Sequence, residues 1–152
     1  MVQGGKVITV NRKARFDYHI LDTFEAGMVL TGAEIKSIRA GEITLNEGYV
    51  RPQSGELFLL NVYVKPYAHS ADKEYDPRRP RKLLLHRREI EKLIRETETK
   101  GVTIVPLQLY LKGGRAKLEI AIAKGKAAPD KRQSIKQREA DRDVARAMSQ
   151  KR

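Results

Sequence analysis

Residues 57–64, Leu-Phe-Leu-Leu-Asn-Val-Tyr-Val, form a short run that is apolar on both faces of an extended strand. With period two, Leu57, Leu59 and Asn61 share one side, while Phe58, Leu60, Val62 and Val64 share the other. An open sheet with one wet side would alternate apolar and polar. Burial of both faces predicts a barrel wall with a helix packed outside it. The Pro52-Gln53-Ser54-Gly55 joint predicts a hairpin to a strand at 49–51.

The rest of the first 123 residues punctuates in the same way. Residues 1–8 read as a short leader, with a β-branched run at 7–10. A strand is expected at 18–24, then a turn or bulge at Glu25-Ala26-Gly27, with the strand resuming at 28–30. Thr31 and Glu34 have capping-box spacing, Ile35 and Ile38 share a helical face, and Gly41 is placed to stop the helix. Residues 69–82 hold little apolar material and two X-Pro steps, which predicts a mobile loop, with 83–85 returning to the core. Ile90, Leu93, Ile94 and Thr97 repeat at helical spacing, predicting a helix over 87–100 with Gly101 as its C′ residue. Two long strands, 102–111 and 116–123, flank Lys112-Gly113-Gly114-Arg115; Pro106 marks an edge or bulged stretch in the first. About six strands and two or three helices at this spacing fit an all-β-dominated fold. The expectation is an OB-like antiparallel barrel, closed or partly open.

Composition changes sharply at Lys124. The 152-residue chain carries 31 Lys and Arg against 19 Asp and Glu, a net charge of +12. The last 29 residues hold ten of those cations and four of the acids, so a fifth of the length carries half the net charge. Their apolar residues are few, and a stripe of Ala140, Val144, Ala147 and Met148 buries too little to order a helix alone. Good helix formers dominate nonetheless. Two regions are therefore expected: a folded body at 1–123 and a basic tail at 124–152, disordered when free and helical when a partner neutralises it.

That charge makes an anion the natural partner, nucleic acid before membrane lipid. Candidate contacts are the loop Arg78, Arg79, Arg81 and Lys82, then Arg87 and Arg88. The tail adds Lys124, Lys126, Lys131, Arg132, Lys136, Arg138, Arg142 and Arg146, of which Arg138, Arg142 and Arg146 are four apart. Tyr18, Tyr63, Tyr67, Tyr75 and Tyr110 are candidates for base stacking. The absence of cysteine removes disulfides, thiolate nucleophiles and Cys-ligated metals. His19, His69 and His86 lack ligand spacing, so no metal and no cofactor is expected. No signal peptide is visible, and no apolar run is long enough to span a bilayer. No nucleophile elbow, phosphate-cradling loop or dinucleotide fingerprint is present. Loose carboxylate pairs such as Glu42 and Glu47 carry little hydrolytic signal, so an enzyme is not expected.

Several ordered segments then match one family. They are Asn11-Arg12-Lys13-Ala14 with Asp17-Tyr18, Glu25-Ala26-Gly27, and the stretch from Leu30-Thr31-Gly32-Ala33-Glu34 through Ala40-Gly41. Asp76-Pro77-Arg78-Arg79, Arg81-Lys82-Leu83-Leu84-Leu85, Lys124-Gly125-Lys126 and Asp130-Lys131-Arg132 complete the set. In this the chain resembles the SsrA-binding protein (SmpB) family of bacterial trans-translation. The resemblance implies an OB-like barrel that binds the tRNA-like domain of transfer-messenger RNA and delivers it to stalled ribosomes. It places the RNA contact at Glu25, Leu84 and Lys117, with Asn11, Tyr18, Lys36 and Arg39 nearby. It implies a tail helix in the empty mRNA channel and decoding centre, where Asp130, Ile135, Arg138, Arg142, Ala147 and Met148 would act. A cytoplasmic monomer follows from the same resemblance. One departure stands out: Ala127-Ala128-Pro129 replaces the family's second lysine and the ring residue that precedes Asp-Lys-Arg. The competing expectations are a generic OB-type single-strand RNA-binding or ribosomal protein, and an RNA-processing enzyme.

Overall fold

Two tight hairpins and one long ribbon organise the chain. The computed structural model describes residues 5–68, 70 and 74–126. Among them the elements run β1 (Gly5–Val10), α1 (Arg12–Asp17), β2 (Tyr18–Met28), α2 (Gly32–Arg39), β3 (Ile43–Thr44) and β4 (Tyr49–Gln53). They continue as β5 (Glu56–Leu60), β6 (Tyr63–Val64), β7 (Arg81–Leu84), α3 (Arg87–Glu96), β8 (Val102–Lys112) and β9 (Arg115–Gly125). Both hairpin turns place two consecutive residues in the left-handed region, Ser54 and Gly55 at φ 53° and 77°, and Gly113 and Gly114 at φ 59° and 78°. Two-residue turns of this kind match the twist of the strands they join and fix their register, here Gln53 opposite Glu56 and Lys112 opposite Arg115.

Every pairing is antiparallel. The ring β8-β4-β5-β7-β2-β9 closes because β9 also pairs with β8, and β1 lies against the outer half of β8. Two seams are thin: β4 meets β8 only at Val50 opposite Ile104, and β2 meets β7 only at Gly27–Leu84 and Met28–Leu83. The result is the β-dominated, partly open antiparallel barrel that the strand pattern and the resemblance both implied. Leu57, Leu59, Val62, Leu83, Ile104, Leu109, Leu118 and Ile120 fill its interior with Ile38 of α2 and Leu93 of α3. A second, smaller cluster lies on the outer side of β8 and β9, where Ala14 of α1 packs on Val105, Leu107, Ala121 and Ala123. The alanines let the helix approach closely, so the outer helix covers β8 and β9 rather than β5.

Several expectations are corrected. Glu25-Ala26-Gly27 is neither turn nor bulge: β2 runs unbroken through it, Gly27 is not left-handed, and the bulge falls between Ile20 and Asp22. The run at 57–64 is not one strand. Asn61 takes φ 58°, which breaks the alternation and turns Val62 and Val64 to the same interior as Leu57 and Leu59. The long helix ends at Glu96, four residues early, and Gly101 serves a later turn in which the Val102 amide donates to the Thr99 carbonyl. The bulged stretch expected at Pro106 is present, between the pairing of β8 with β4 at Ile104 and with β1 from Gln108 onward. Residues 5–8, expected to lie in a leader, belong to β1, where Gly5 already pairs with Lys112. Strand β9 extends to Gly125, two residues past the expected end of the body. No helix among the described residues is long and apolar enough to cross a membrane, and no group of His, Cys, Asp or Glu among them could hold a metal ion.

Candidate RNA interface

The register of three strands assembles one candidate surface. Gly27 in β2 lies opposite Leu84 of β7 on one side and Lys117 of β9 on the other, and Lys117 lies opposite Tyr110 of β8. Residues directly opposite share a face of the sheet. Leu83 is fully buried, so its neighbour Leu84 must point outward, and it is 50% exposed. The missing side chain at Gly27 leaves a level gap between Leu84 and Lys117. Glu25, two residues back along β2, shares the face. Its carboxylate accepts from the Tyr110 hydroxyl and lies 3.4 Å from the Lys112 ammonium. The Tyr110 hydrogen bond holds its carboxyl below the usual range; burial opposes it, and the Lys112 and Lys117 charges add to the lowering. Burial and the Glu25 contact push the Tyr110 hydroxyl up, so it stays a neutral donor. The strip therefore offers an apolar step, cations for phosphates, and one ionised acceptor suited to a base N–H or a 2′-hydroxyl.

Helix α2 borders this strip. Thr31 caps it, the Thr31 oxygen accepting from the Glu34 amide while the Glu34 carboxylate accepts from the Thr31 amide, at 3.1 and 3.0 Å. Arg39 donates to the Gly114 carbonyl at 3.3 Å, tying the helix end to the β8–β9 hairpin. Lys36 lies 5.9 Å from the Tyr67 ring centre. Behind α2, Glu34 collects charge from the segment expected to be a mobile loop. Arg79 reaches its two carboxylate oxygens at 2.6 and 2.9 Å, and Arg81 reaches one at 2.8 and 3.1 Å. The Tyr75 hydroxyl joins them, and Arg81 also donates to the Val62 and Pro77 carbonyls. Burial opposes the Glu34 charge, but the hydrogen bonds from Arg79, the Thr31 amide and Arg81 outweigh it and hold the carboxyl at about 2. The same contact raises the Arg79 guanidinium above its ordinary value, and burial carries Tyr75 up to about 12.

The expectation for this basic loop therefore needs correction. Arg81 is 0% exposed and offers no surface to a ligand. Arg79 is two-thirds covered by its ion pair. Arg78 remains exposed, above the Tyr63 ring at 5.3 Å, and Lys82 is half-buried. Arg87 is held by Glu56 at 2.9 Å, while Arg88 is exposed.

A second surface lies at the far end of β9, about 26 Å from Lys117 at the rise of an extended strand. Here Asn11 also departs from expectation. It is 2% exposed; its side chain caps α1 by accepting from the Ala14 amide and donates to the Pro106 carbonyl at 2.9 Å. It fastens α1 to β8 instead of facing a ligand. Tyr18 is half-buried against the small outer cluster. Lys124 is exposed, and Lys126 lies over the Phe16 ring at 5.7 Å. Sequence reasoning missed Phe16, the most exposed large apolar residue described at 75%, because it missed α1. The signal was present: Asn11, a preferred N-cap residue, stands at the end of the β-branched run. It also missed Lys112 and the pairing of Tyr110 with Glu25. The tail candidates Asp130, Lys131, Arg132, Ile135, Lys136, Arg138, Arg142, Arg146, Ala147 and Met148 lie outside the described residues, as does His69.

Comparison with known proteins decides the lineage. The family model described as SmpB protein matches residues 8–150. The chain belongs to the SmpB family. SsrA-binding proteins of Acidothermus cellulolyticus and Streptococcus pneumoniae are 51% and 54% identical to it, covering 97% and 95% of this chain and 93% of each relative. The SsrA-binding protein of Enterococcus faecalis is 52% identical over 97% of this chain and 96% of its own length. A chain of a solved structure titled "tmRNA-SmpB: a journey to the center of the bacterial ribosome" superposes with a TM-score of 0.67 at 44% identity. The match covers 83% of this chain and 87% of that one.

Proposed function

We propose that this chain is the RNA-binding adaptor of trans-translation. Its body grips the tRNA-like domain of transfer-messenger RNA and delivers it to stalled ribosomes, while residues 124–152 occupy the empty mRNA channel and the decoding centre. The observation that carries the body's part is the strip of Glu25, Leu84 and Lys117, set on the outer wall of a barrel whose chain matches SmpB almost end to end. A folded RNA presents a rigid shape to such a wall, and the strip's mixture of apolar, cationic and acceptor groups suits sugar, phosphate and base edges together. The protein acts by binding and not by catalysis, in the cytoplasm where its RNA partners reside.

The single-strand alternative needs a platform of open aromatic rings. The tyrosines here are largely committed. Tyr110 is buried, Tyr75 bonds Glu34, and Tyr63 and Tyr49 carry Arg78 and Arg51 over their rings. The test compares the full chain with a truncation after Lys126, on an L-shaped tRNA-like RNA, an unstructured strand of equal length, and ribosomes stalled without a stop codon. The truncation should keep its preference for the folded RNA and lose rescue. Loss of both together, or a preference for the unstructured strand, would refute the proposal.

A further inference from the structure

We propose that Tyr110 is a positioning residue for RNA recognition: its hydroxyl fixes the Glu25 carboxylate so that one oxygen faces the RNA as an acceptor for a base N–H or a ribose 2′-hydroxyl. This rests on the assignment of Glu25 to the RNA contact made above.

Three observations carry it. The Tyr110 hydroxyl and the Lys112 ammonium both converge on Oε2 of Glu25, and among the described residues Oε1 accepts no hydrogen bond. The Tyr110 ring is 5% exposed, locked in β8 between its register partners Val7 and Lys117, so its hydroxyl is a fixed point. The Glu25 side chain stays 41% exposed, so its free oxygen is reachable.

A neutral donor matters at this place. The charged groups facing Glu25 include Lys112 of β8 and Lys117 and Glu119 of β9; on the β7 side Leu84 is the paired position nearest to it, with Lys82 two residues along the same face and His86 just beyond the strand. Glu119 is itself engaged, accepting from Gln108 at 2.9 Å with Arg15 at 4.0 Å. Without the tyrosine hydroxyl, only the exposed Lys112 ammonium at 3.4 Å would hold the carboxylate, and its orientation would be lost. The phenol holds one oxygen without neutralising the carboxylate, and orientation set before binding is entropy that binding need not supply. The recognised group is a donor on the RNA, not a phosphate, which a carboxylate repels.

The experiment is a double-mutant cycle in the full chain, with a folded tRNA-like RNA as probe at fixed salt. Tyr110→Phe keeps the ring and removes only the hydroxyl. It should weaken binding about fivefold, the scale of one lost orienting hydrogen bond. Its effect should vanish in a Glu25→Ala background, and the slope of affinity against salt should not change, because no phosphate contact is lost. Carboxyl NMR should show the Glu25 titration midpoint moving up in Tyr110→Phe. Wild-type affinity in Tyr110→Phe, or an equal loss with and without Glu25, overturns the inference while leaving the RNA-contact assignment standing. Wild-type affinity in Glu25→Ala overturns that assignment itself, and the inference with it.

Discussion

Replacing Glu34 with glutamine should cost this protein about 3 kcal/mol at neutral pH, a figure reached by two routes. Removing one partner of a buried ion pair typically costs about 3–5 kcal/mol, because the other charge is left uncompensated; Arg81 is fully buried and would be that charge. Independently, the Glu34 carboxyl lies at about 2 against a reference of 4.5. At about 1.4 kcal/mol per pH unit this is roughly 3 kcal/mol of linked stability. The folded state lowers this carboxyl, so its contribution is fully present above pH 4.5 and is lost as pH falls toward 2. Glutamine does not titrate there. The gap between wild type and Glu34→Gln should therefore be widest near pH 6 and narrow steadily below pH 4.5. Urea unfolding followed by circular dichroism measures it, and at about 3 °C per kcal/mol for a chain of this size the neutral-pH melting point should fall by roughly 9 °C. A gap under about 1 kcal/mol at pH 6, or one that stays constant down to pH 3, would refute the assignment of this network as a tightly coupled buried pair.

Two glycines separate surface from core. A Cβ at Gly27 meets Leu84 at 3.5 Å, an ordinary contact, and the backbone is not left-handed. Gly27→Leu should leave the melting point nearly unchanged yet fill the gap between Leu84 and Lys117 and weaken binding to the folded RNA at least tenfold in a titration. A Cβ at Gly48 would lie 2.5 Å from Val62 Cγ2 and 3.1 Å from the Leu45 carbonyl. Gly48→Ala should lower the urea midpoint by an amount equivalent to about 1–3 kcal/mol, since the core must move to admit it.

Local signals in the sequence anticipated much of the architecture. The Thr31–Glu34 capping box, the two hairpin joints, and the Leu118, Ile120, Ile122 alternation all appear as expected, because each depends on residues within a turn or two of one another. The failures cluster where a single backbone angle changes the rule. Asn61 could have continued its strand; by turning left-handed it sent Val62 and Val64 to the opposite face from the one their spacing implied. Leu84 shows the converse. Within Leu83-Leu84-Leu85 nothing marks which leucine faces outward, and only the pairing of β7 with β5 and β2 chooses the middle one.

Charge drew the clearest line between the two levels. Sequence alone determined that the chain is strongly cationic, that its barrel is built from turn-punctuated strands, and to which family it is akin, because composition and spacing are properties of the chain itself. Which cations meet solvent was decided only in three dimensions. Arg78 and Arg81 lie three residues apart in one basic stretch, yet one is exposed over Tyr63 and the other is sealed against a carboxylate 47 positions away. Burial of a charge depends on what folds over it, and that partner is set by long-range packing that no local pattern encodes.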